Sequence, residues 1–169
     1  MDRIASRLKD PAHLYPLYIL LLTMPGVPAI YYGSEWGVQG RRIPGTDAPL
    51  RPPFDPTAIR AVAPYPDLYG VLKALIALRR QLTALRRGDY QQLQVAAEQF
   101  AFLRRDPNGW VIVAVNASAL PVDVPLVVPG SEGGRLIDQL HGGEVLSIRG
   151  GGRCSLALHP RWGRVLIPR

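Results

Sequence analysis

This chain of 169 residues has almost no cysteine and no long apolar run. Cys154 is the single cysteine, so no internal disulfide can form and nothing indicates an oxidising compartment. The longest apolar run, Leu14 to Met24, is interrupted by Pro16 and is too short to span a bilayer. The N-terminus lacks the pattern of a signal peptide. We therefore expect a globular, cytoplasmic protein that does not bind membranes.

Motifs for metals, cofactors and nucleophiles are also lacking. The histidines lie far apart without the spacing of a metal site: His13, His141 and His159. Neither Ser34 nor Cys154 lies in a nucleophile motif. The glycine-rich stretch 151–153 indicates a turn, because a phosphate-binding loop would be followed by a helix. We expect no metal site and no cofactor.

The net charge of +7 raises the question of nucleic-acid binding. Residues 1–87 contain twelve Lys and Arg against six Asp and Glu, whereas residues 88–169 contain eight against seven. The arginines are scattered, apart from a cluster between positions 79 and 87, and no basic stripe has aromatic residues between its charges. A solvated, arginine-rich surface is therefore the favoured interpretation, and we expect no nucleic-acid partner.

The first half of the chain has helical signals around one short strand. Asp10 and the proline after it predict a helix start before a largely apolar run, in which Pro16 either kinks the helix or marks a later start. The apolar stretch "VPAIYY", residues 27–32, predicts a strand buried on both faces. A loop of roughly thirty residues follows. Asp67 as N-cap and leucines at helical spacing then predict a helix that ends before Gly88.

The second half of the chain, from Gly88 onward, consists of short strand patterns separated by regular turn signals. The predicted strands are "YQQLQVA", "EQFAFLRR", "GWVIVAVNAS", "VDVPLVV", "RLIDQL", "GEVLSIR", "RCSLALH" and "GRVLIPR". The turn signal "DPNG" between two of them predicts a hairpin. These patterns favour an antiparallel β-sandwich or barrel.

The order helix, buried strand, long loop and helix is typical of the last units of a (β/α)8 barrel, where functional sites lie at the carboxyl ends of the strands. The fold class we expect is an α+β fragment. Its domains are a final helix-strand-helix portion of a TIM barrel in residues 1–87 and an antiparallel β-sandwich in residues 88–169.

Several stretches, in order, resemble the end of the α-amylase family, glycoside hydrolase family 13: "LYILLLTMPGVPAIYYGSEWG", "APLRP", "LKALIALRRQLTALRRGDY", "FAFLRR" and "VIVAVNAS". In that family, "PGxPxxYYGxE" belongs to the eighth barrel strand, and a β-sandwich called domain C follows the barrel. The resemblance covers most of the chain and weakens after about Ser118. The stretch "YYGSEWG" followed by "DAPLRP" is most similar to neopullulanases and cyclomaltodextrinases.

The resemblance also implies that the catalytic groups lie outside this sequence. Retaining glycosidases need a nucleophile and an acid/base carboxyl, which the family takes from barrel strands four and five, upstream of residue 1. If Arg3 is the arginine of the family's Asn-His-Asp-x-x-Arg motif, the motif aspartate falls before Met1, and Asp2 occupies a variable position. We therefore expect no catalytic residue here, and we interpret the sequence as an inactive C-terminal fragment of an α-glucan-active enzyme.

Four residues remain as candidates for contact with a glucan. Arg51 matches the arginine of the family's loop after the strand and is the first choice. Trp36 is either a sugar-stacking platform or a packing residue, and Tyr32 and its neighbour Tyr31 offer aromatic faces, at least one of which we expect in the core. Glu35 matches an acidic residue that holds the loop in the family, where a structural ion pair is the favoured interpretation over substrate contact.

Two further function classes stay open: a free-standing β-sandwich that binds carbohydrate or a protein partner, and the less favoured nucleic-acid binding. In the favoured class, the ligand is an α-glucan or maltooligosaccharide bound by the complete enzyme. One strand and two apolar helices cannot close a barrel, so we expect the isolated chain to self-associate or to bind a missing barrel segment.

Overall fold

The computed structural model describes residues 2–53 and 55–169, which form an α+β fold dominated by antiparallel sheet. Within this part of the chain the helices come first: α1 (Leu14–Thr23), α2 (Pro56–Val62), α3 (Leu68–Gln81) and α4 (Thr83–Arg87). The strands follow: β1 (Asp89–Val95), β2 (Gln99–Asp106), β3 (Gly109–Asn116), β4 (Val122–Val127), β5 (Gly134–Asp138), β6 (Val145–Ile148), β7 (Arg153–Leu158) and β8 (Trp162–Pro168).

The predicted start of the first helix is confirmed. The Asp10 carboxylate accepts a hydrogen bond from the backbone N–H of Ala12 at 2.9 Å and begins a 3-10 turn over Pro11–His13, which continues into α1. Pro16 lies in the first turn of α1, where a proline removes no helical hydrogen bond. Of the two interpretations of Pro16, the later start of the α-helix is therefore correct.

The predicted strand at residues 27–32 is wrong. Residues 27–31 have no regular secondary structure, and Val27 is 96% exposed. A strand buried on both faces needs neighbouring strands, and all strands of the two sheets in the described part of the chain lie between residues 89 and 168. The apolar stretch therefore has no sheet to join, and the strand of the expected helix-strand-helix portion is not formed.

The predicted helix after Asp67 is confirmed, but it is divided in two. Leu82 has an extended backbone conformation and separates α3 from α4. Asp67 stands at the N-cap position without capping α3, because its carboxylate accepts a hydrogen bond from the Tyr15 hydroxyl at 2.6 Å. That hydrogen bond joins the start of α3 to α1.

All eight predicted strands are present, and every pairing between them is antiparallel. One sheet has six strands in the order β1-β2-β3-β8-β5-β6, and the other consists of β4 and β7. The "DPNG" hairpin is confirmed, since it joins β2 to β3 and pairs Asp106 with Gly109. The two sheets form a sandwich of very unequal halves.

The six-stranded sheet is buried on both faces over its middle strands, because side chains alternate along each strand. Val111, Val113 and Val115 of β3 belong to a core shared with α1, α3 and α4. Ile112 and Ala114 belong to a second core against β4 and β7. The molecule thus has three layers: helices, a large sheet and a small sheet.

Two buried arginines fasten the helical layer to the large sheet. Arg79 of α3 donates hydrogen bonds to backbone carbonyls at the end of α1 and beyond it, among them Leu22 at 2.9 Å. Arg104 of β2 donates to the carbonyls of Thr23 at 2.7 Å and Gly88 at 2.8 Å. Burial lowers the pKa of both guanidinium groups, and for Arg104 the charge of Arg79 adds to that effect. The end of α1 is therefore fixed from two sides.

Candidate functional site

The candidate site is built on the segment that leaves α1. Pro25 and Gly26 follow the helix, and a turn at residues 31–34 reverses the chain before a 3-10 turn over Ser34–Trp36. Gly33 in this turn has φ +79°, and a Cβ there would lie 3.1 Å from the Val38 side chain, so the position requires glycine. The turn holds the aromatic residues before it against the N-terminal segment.

Arg3 organises this site. It is 6% exposed, and it donates hydrogen bonds from Nε to the Leu50 carbonyl at 3.0 Å and from Nη1 to the Tyr32 carbonyl at 2.8 Å. Its backbone N–H bonds the Gly40 carbonyl at 2.9 Å. Its Nη2 is buried without a hydrogen-bond partner in the described part of the chain. Arg3 thus ties three separate loop positions together and retains one free donor.

Tyr31 and Tyr32 both lie over Arg3. The guanidinium carbon is 4.9 Å from the Tyr31 ring centre and 5.1 Å from the Tyr32 ring centre, within the range of cation–π attraction. Tyr31 is 49% exposed and Tyr32 is 36% exposed. The expectation that one of them lies in the core is wrong, because the segment is not a strand and its side chains do not alternate between two faces.

A cavity of about 660 Å³ opens beside this cluster. Its polar lining comes from Asp2, Arg3, Arg7, Tyr31, Asp47 and Arg51. Its apolar lining comes from α1 and the loops, through Leu17, Leu21, Ile30 and Leu50. The volume and the mixture of apolar walls with a few polar groups are typical of a small-molecule site.

Arg51 lies at this cavity, as a contact with a bound sugar would require. One of its guanidinium nitrogens is 4.0 Å from the Asp47 carboxylate, which also lies 3.7 Å from Arg42. The Arg51 side chain is 68% exposed, so it reaches solvent at the cavity rim. A guanidinium at this place can donate several hydrogen bonds to hydroxyl or carboxylate oxygens.

Glu35 lies behind the site rather than in the cavity lining. Its Oε2 is buried without a hydrogen-bond partner, and no ion pair in the described ranges includes it. The favoured ion pair is therefore not formed, although the Nη2 of Arg3 is also without a hydrogen-bond partner in the described part of the chain. Burial and the negative charge of Glu35 raise the pKa of Tyr18 to about 12. The Tyr18 hydroxyl donates a hydrogen bond to the Ser34 carbonyl at 2.9 Å.

Trp36 packs against α3 instead of facing the cavity. Its ring stacks on Tyr69 at 4.8 Å with an interplanar angle of 7°, and it is 8% exposed. The geometry favours the packing interpretation over the sugar platform. Of the four predicted site residues, only Arg51 lines the cavity. Tyr32 lies over Arg3, Trp36 packs on Tyr69, and Glu35 lies in the 3-10 turn.

The sequence did not single out the other polar groups of the cavity. Asp2 accepts a hydrogen bond from the backbone N–H of Arg42 at 2.9 Å, which holds two distant loops together. Asp47 lies between Arg42 and Arg51. The one sequence signal that could have identified these polar residues is Arg3, the arginine that matches the family's Asn-His-Asp-x-x-Arg motif. Arg3 contacts both tyrosines and lines the same cavity as Asp2 and Asp47.

Two histidines that are distant in sequence lie close together, one after β5 and the other after β7. The rings of His141 and His159 are 5.8 Å apart, and His141 Nδ1 is 2.7 Å from an Asp138 carboxylate oxygen. Over residues 2–53 and 55–169, no three side chains of His, Cys, Asp and Glu are arranged to hold a metal ion. In the same ranges, no helix is long and apolar enough to cross a membrane.

No family model matches the chain. It is 34% identical over 116 residues to a cyclomaltodextrinase of Geobacillus thermopakistaniensis, a match that covers 66% of this chain and 18% of that protein. It is 33% identical over 147 residues to neopullulanase 2 of Thermoactinomyces vulgaris, covering 86% of this chain and 24% of that protein. The chain therefore spans about a fifth of the length of these relatives.

Comparison with solved structures gives matches to enzymes of the same kind. The α-amylase of Geobacillus thermoleovorans, in complex with acarbose, matches with a TM-score of 0.77 at 25% identity, over 94% of this chain and 33% of that chain. By its sequence and by its fold, the chain belongs to the α-amylase family, glycoside hydrolase family 13, with cyclomaltodextrinases and neopullulanases among its homologues.

Proposed function

We propose that this chain is the C-terminal part of an enzyme that hydrolyses α-1,4-glucosidic bonds by a retaining mechanism. Residues 1–87 would end its catalytic barrel, and residues 88–169 would form domain C. The observation that carries this proposal is the cavity beside α1, where Arg51 and Tyr31 face the same space above the buried Arg3. In the complete enzyme this cavity would lie at the rim of the glucan site.

Each group at the rim has a definite role in this proposal. Arg51 donates hydrogen bonds to sugar hydroxyls, and the exposed faces of Tyr31 and Tyr32 pack against the apolar face of a glucose ring. Arg3 holds both rings in place through its cation–π contacts. Trp36 acts indirectly, because its stacking on Tyr69 fixes the 3-10 turn that follows the tyrosines and contains Glu35.

The chain by itself is expected to be inactive. A retaining glycosidase needs two carboxyl groups about 5 Å apart across the scissile bond. The carboxylates that line the cavity, Asp2 and Asp47, are both engaged with Arg42, and neither matches a catalytic motif of the family. The nucleophile and the acid/base residue would come from the rest of the enzyme.

The outer face of α1 would receive that remaining polypeptide. Leu17, Leu20 and Leu21 are only partly buried, and a second, apolar cavity of about 460 Å³ adjoins the candidate site, because Leu17 and Leu21 line both cavities. Exposed apolar grooves of this kind are typical of interaction surfaces. Without a covering segment, we expect this face to bind hydrophobic dyes or to cause self-association.

The test measures activity and binding on the same sample. We expect no release of reducing sugar from soluble starch or cyclodextrin by the purified chain, with a full-length cyclomaltodextrinase as the positive control. In a titration with maltoheptaose, Arg51→Ala should weaken binding at least fivefold, and Arg87→Ala, which removes an exposed arginine from α4, should not change it. Sugar release that survives repurification and is lost in Glu35→Gln would contradict the proposal.

The second candidate, a free-standing β-sandwich that binds carbohydrate or a protein, rests on the second core. Leu126, Leu156 and Leu166 belong to a cluster formed entirely within the two sheets. Retention of the full-length Arg51→Ala chain on a glucan column, equal to that of the unaltered chain, would favour the sandwich. Loss of retention in this variant would favour the cavity.

A further inference from the structure

The connection between β6 and β7 brings two arginines face to face. It consists of a 3-10 turn of three glycines, Gly150–Gly152, with Arg149 before it and Arg153 after it. Gly152 has φ +73°, and a Cβ there would lie 2.5 Å from the Val128 carbonyl oxygen, so the turn requires glycine at this position. The backbone N–H of Arg149 bonds the Arg153 carbonyl at 2.7 Å and closes the turn. The two arginines therefore occupy paired positions.

This pairing places both arginine side chains on one face. Arg149 and Arg153 form an isolated antiparallel bridge, and the Cβ atoms of such a pair lie about 5 Å apart on the same side. Their neighbours Ile148 and Cys154 point into the second core, so both arginines point outward, where they are exposed. Like charges in such a pair repel each other. No ion pair in the described ranges includes either arginine, so no carboxylate there relieves this repulsion.

Hydroxyl groups extend the same face. Side chains two residues apart in a strand point the same way, so Ser147 of β6 and Ser155 of β7 lie on the face of the two arginines. Both serines are exposed, and they line a groove of about 600 Å³ together with Arg149 and Arg153. Arg135 of β5 pairs with Ser147 and adds a third exposed arginine to this face. All five side chains can donate hydrogen bonds.

The acidic residue of the groove, Glu144, is already engaged. Its carboxylate accepts a hydrogen bond from Arg164 at 2.6 Å, and the same guanidinium nitrogen of Arg164 donates to the buried Asp138 at 2.8 Å. Glu144 is thus held beside the start of β6 by a residue outside the groove lining. The charges of Arg149 and Arg153 remain available to a ligand.

We propose that this groove binds a phosphoryl group, either as free phosphate or as the phosphate monoester of a sugar. The charge of a phosphoryl group, about −1.5 to −2 at pH 7, removes the repulsion between Arg149 and Arg153. Guanidinium groups donate paired hydrogen bonds to its oxygens, and Ser147 and Ser155 donate to the remaining ones. The groove shares no lining residue with the cavity beside α1, so this site is separate from the proposed glucan site.

Calorimetric titration of the whole chain at low ionic strength tests the site. The probes are inorganic phosphate and glucose 6-phosphate. We expect saturable binding that weakens at least tenfold in the double variant Arg149→Gln with Arg153→Gln. The matched control, Arg80→Gln with Arg87→Gln, removes two exposed charges from α3 and α4 and should change the affinity less than twofold.

Two comparisons identify the source of the phosphoryl group and keep this test apart from that of the proposed function. Inorganic phosphate that binds as tightly as glucose 6-phosphate identifies free phosphate as the ligand, whereas tighter binding of glucose 6-phosphate identifies a sugar monoester. Binding of maltoheptaose should be the same in the unaltered chain and in the variant that lacks Arg149 and Arg153, because that sugar carries no phosphoryl group.

Thermal melting separates a specific site from general attraction between charges. Without phosphate, Arg149→Gln removes the repulsion, so this variant should melt no lower than the unaltered chain. Phosphate should raise the melting temperature of the unaltered chain more than sodium chloride of equal ionic strength does, and this difference should vanish in the variant.

A third variant keeps every charge. Ser147→Ala with Ser155→Ala removes both hydroxyls, and we expect the affinity for glucose 6-phosphate to fall at least threefold. Unchanged affinity in the arginine double variant, unchanged affinity in this serine variant, equal effects of phosphate and chloride on melting, or no saturable binding of either probe would each overturn the proposal.

Discussion

The region before Gly88 and the region after it are held together in different ways. From β1 to β8, the backbone is satisfied by strand ladders whose register follows from alternation. Between α1 and α2, long side chains bond to backbone carbonyls instead, as Arg3 does with Leu50 and Tyr32. A region of the second kind depends on a few individual side chains, whereas a sheet distributes its stability over many pairs.

The two regions nevertheless share one core, which truncation would reveal. A chain of residues 88–169 exposes the face of the large sheet that packs on the helices, including the fully buried Phe102 and Val165. We expect this fragment to bind a hydrophobic dye and to aggregate, measured by dye fluorescence and sedimentation velocity. A monodisperse fragment with a cooperative thermal transition would show that the sandwich is an independent unit.

The arginine that joins the regions should have the next largest effect. Arg104→Ala leaves the carbonyls of Thr23 and Gly88 without the donor that Arg104 provides, and the Leu85 carbonyl keeps only its hydrogen bond from Arg79. We expect the free energy of unfolding to fall by about 3 kcal/mol. Urea denaturation measures this change. Arg105→Ala, which alters the exposed neighbour bonded to Pro129, is the control and should cost about 0.5 kcal/mol. Equal losses in both variants would contradict the joining role.

The smallest effect concerns alkaline pH in the first region. Tyr18 is 2% exposed and has its pKa raised to about 12, against about 10 in an unfolded chain. A raised pKa means that stability is intact below pH 10 and is lost as the pH rises through 12, by about 2 to 3 kcal/mol. Tyr18→Phe should reduce this alkaline loss, measured by urea denaturation at several pH values, and Tyr90→Phe, at an exposed position, should not.

The success of the sequence-based predictions also differs between the regions. Every strand after Gly88 was predicted, because turn residues and alternation are local signals. The stretch "VPAIYY" has the composition of a buried strand, yet its state depends on whether neighbouring strands exist, which no local pattern records. The expectation that at least one of Tyr31 and Tyr32 lies in the core fails for the same reason, and both lie on Arg3.

The candidate site was only partly accessible from the sequence. The resemblance placed Arg51 near a bound glucan, and the structure puts it at the cavity rim, whereas the binding role itself stays a prediction. The packing of Trp36 on Tyr69 joins residues 33 positions apart, and the contact of Asp2 with the backbone of Arg42 spans 40. Contacts between residues so far apart in sequence depend on how the loops close. The hydrophobic periodicity of the sequence gives no information about loop closure.

The sequence by itself determined the family, the strand pattern after Gly88, the capped helix start at Asp10 and the leucine-spaced helix after Asp67, because motifs, alternation, capping and helical periodicity act over a few positions. The tertiary structure alone decided that residues 27–31 stay irregular and that Arg79 and Arg104 converge on the end of α1. These features depend on which distant segments are present to satisfy a buried carbonyl or an edge strand.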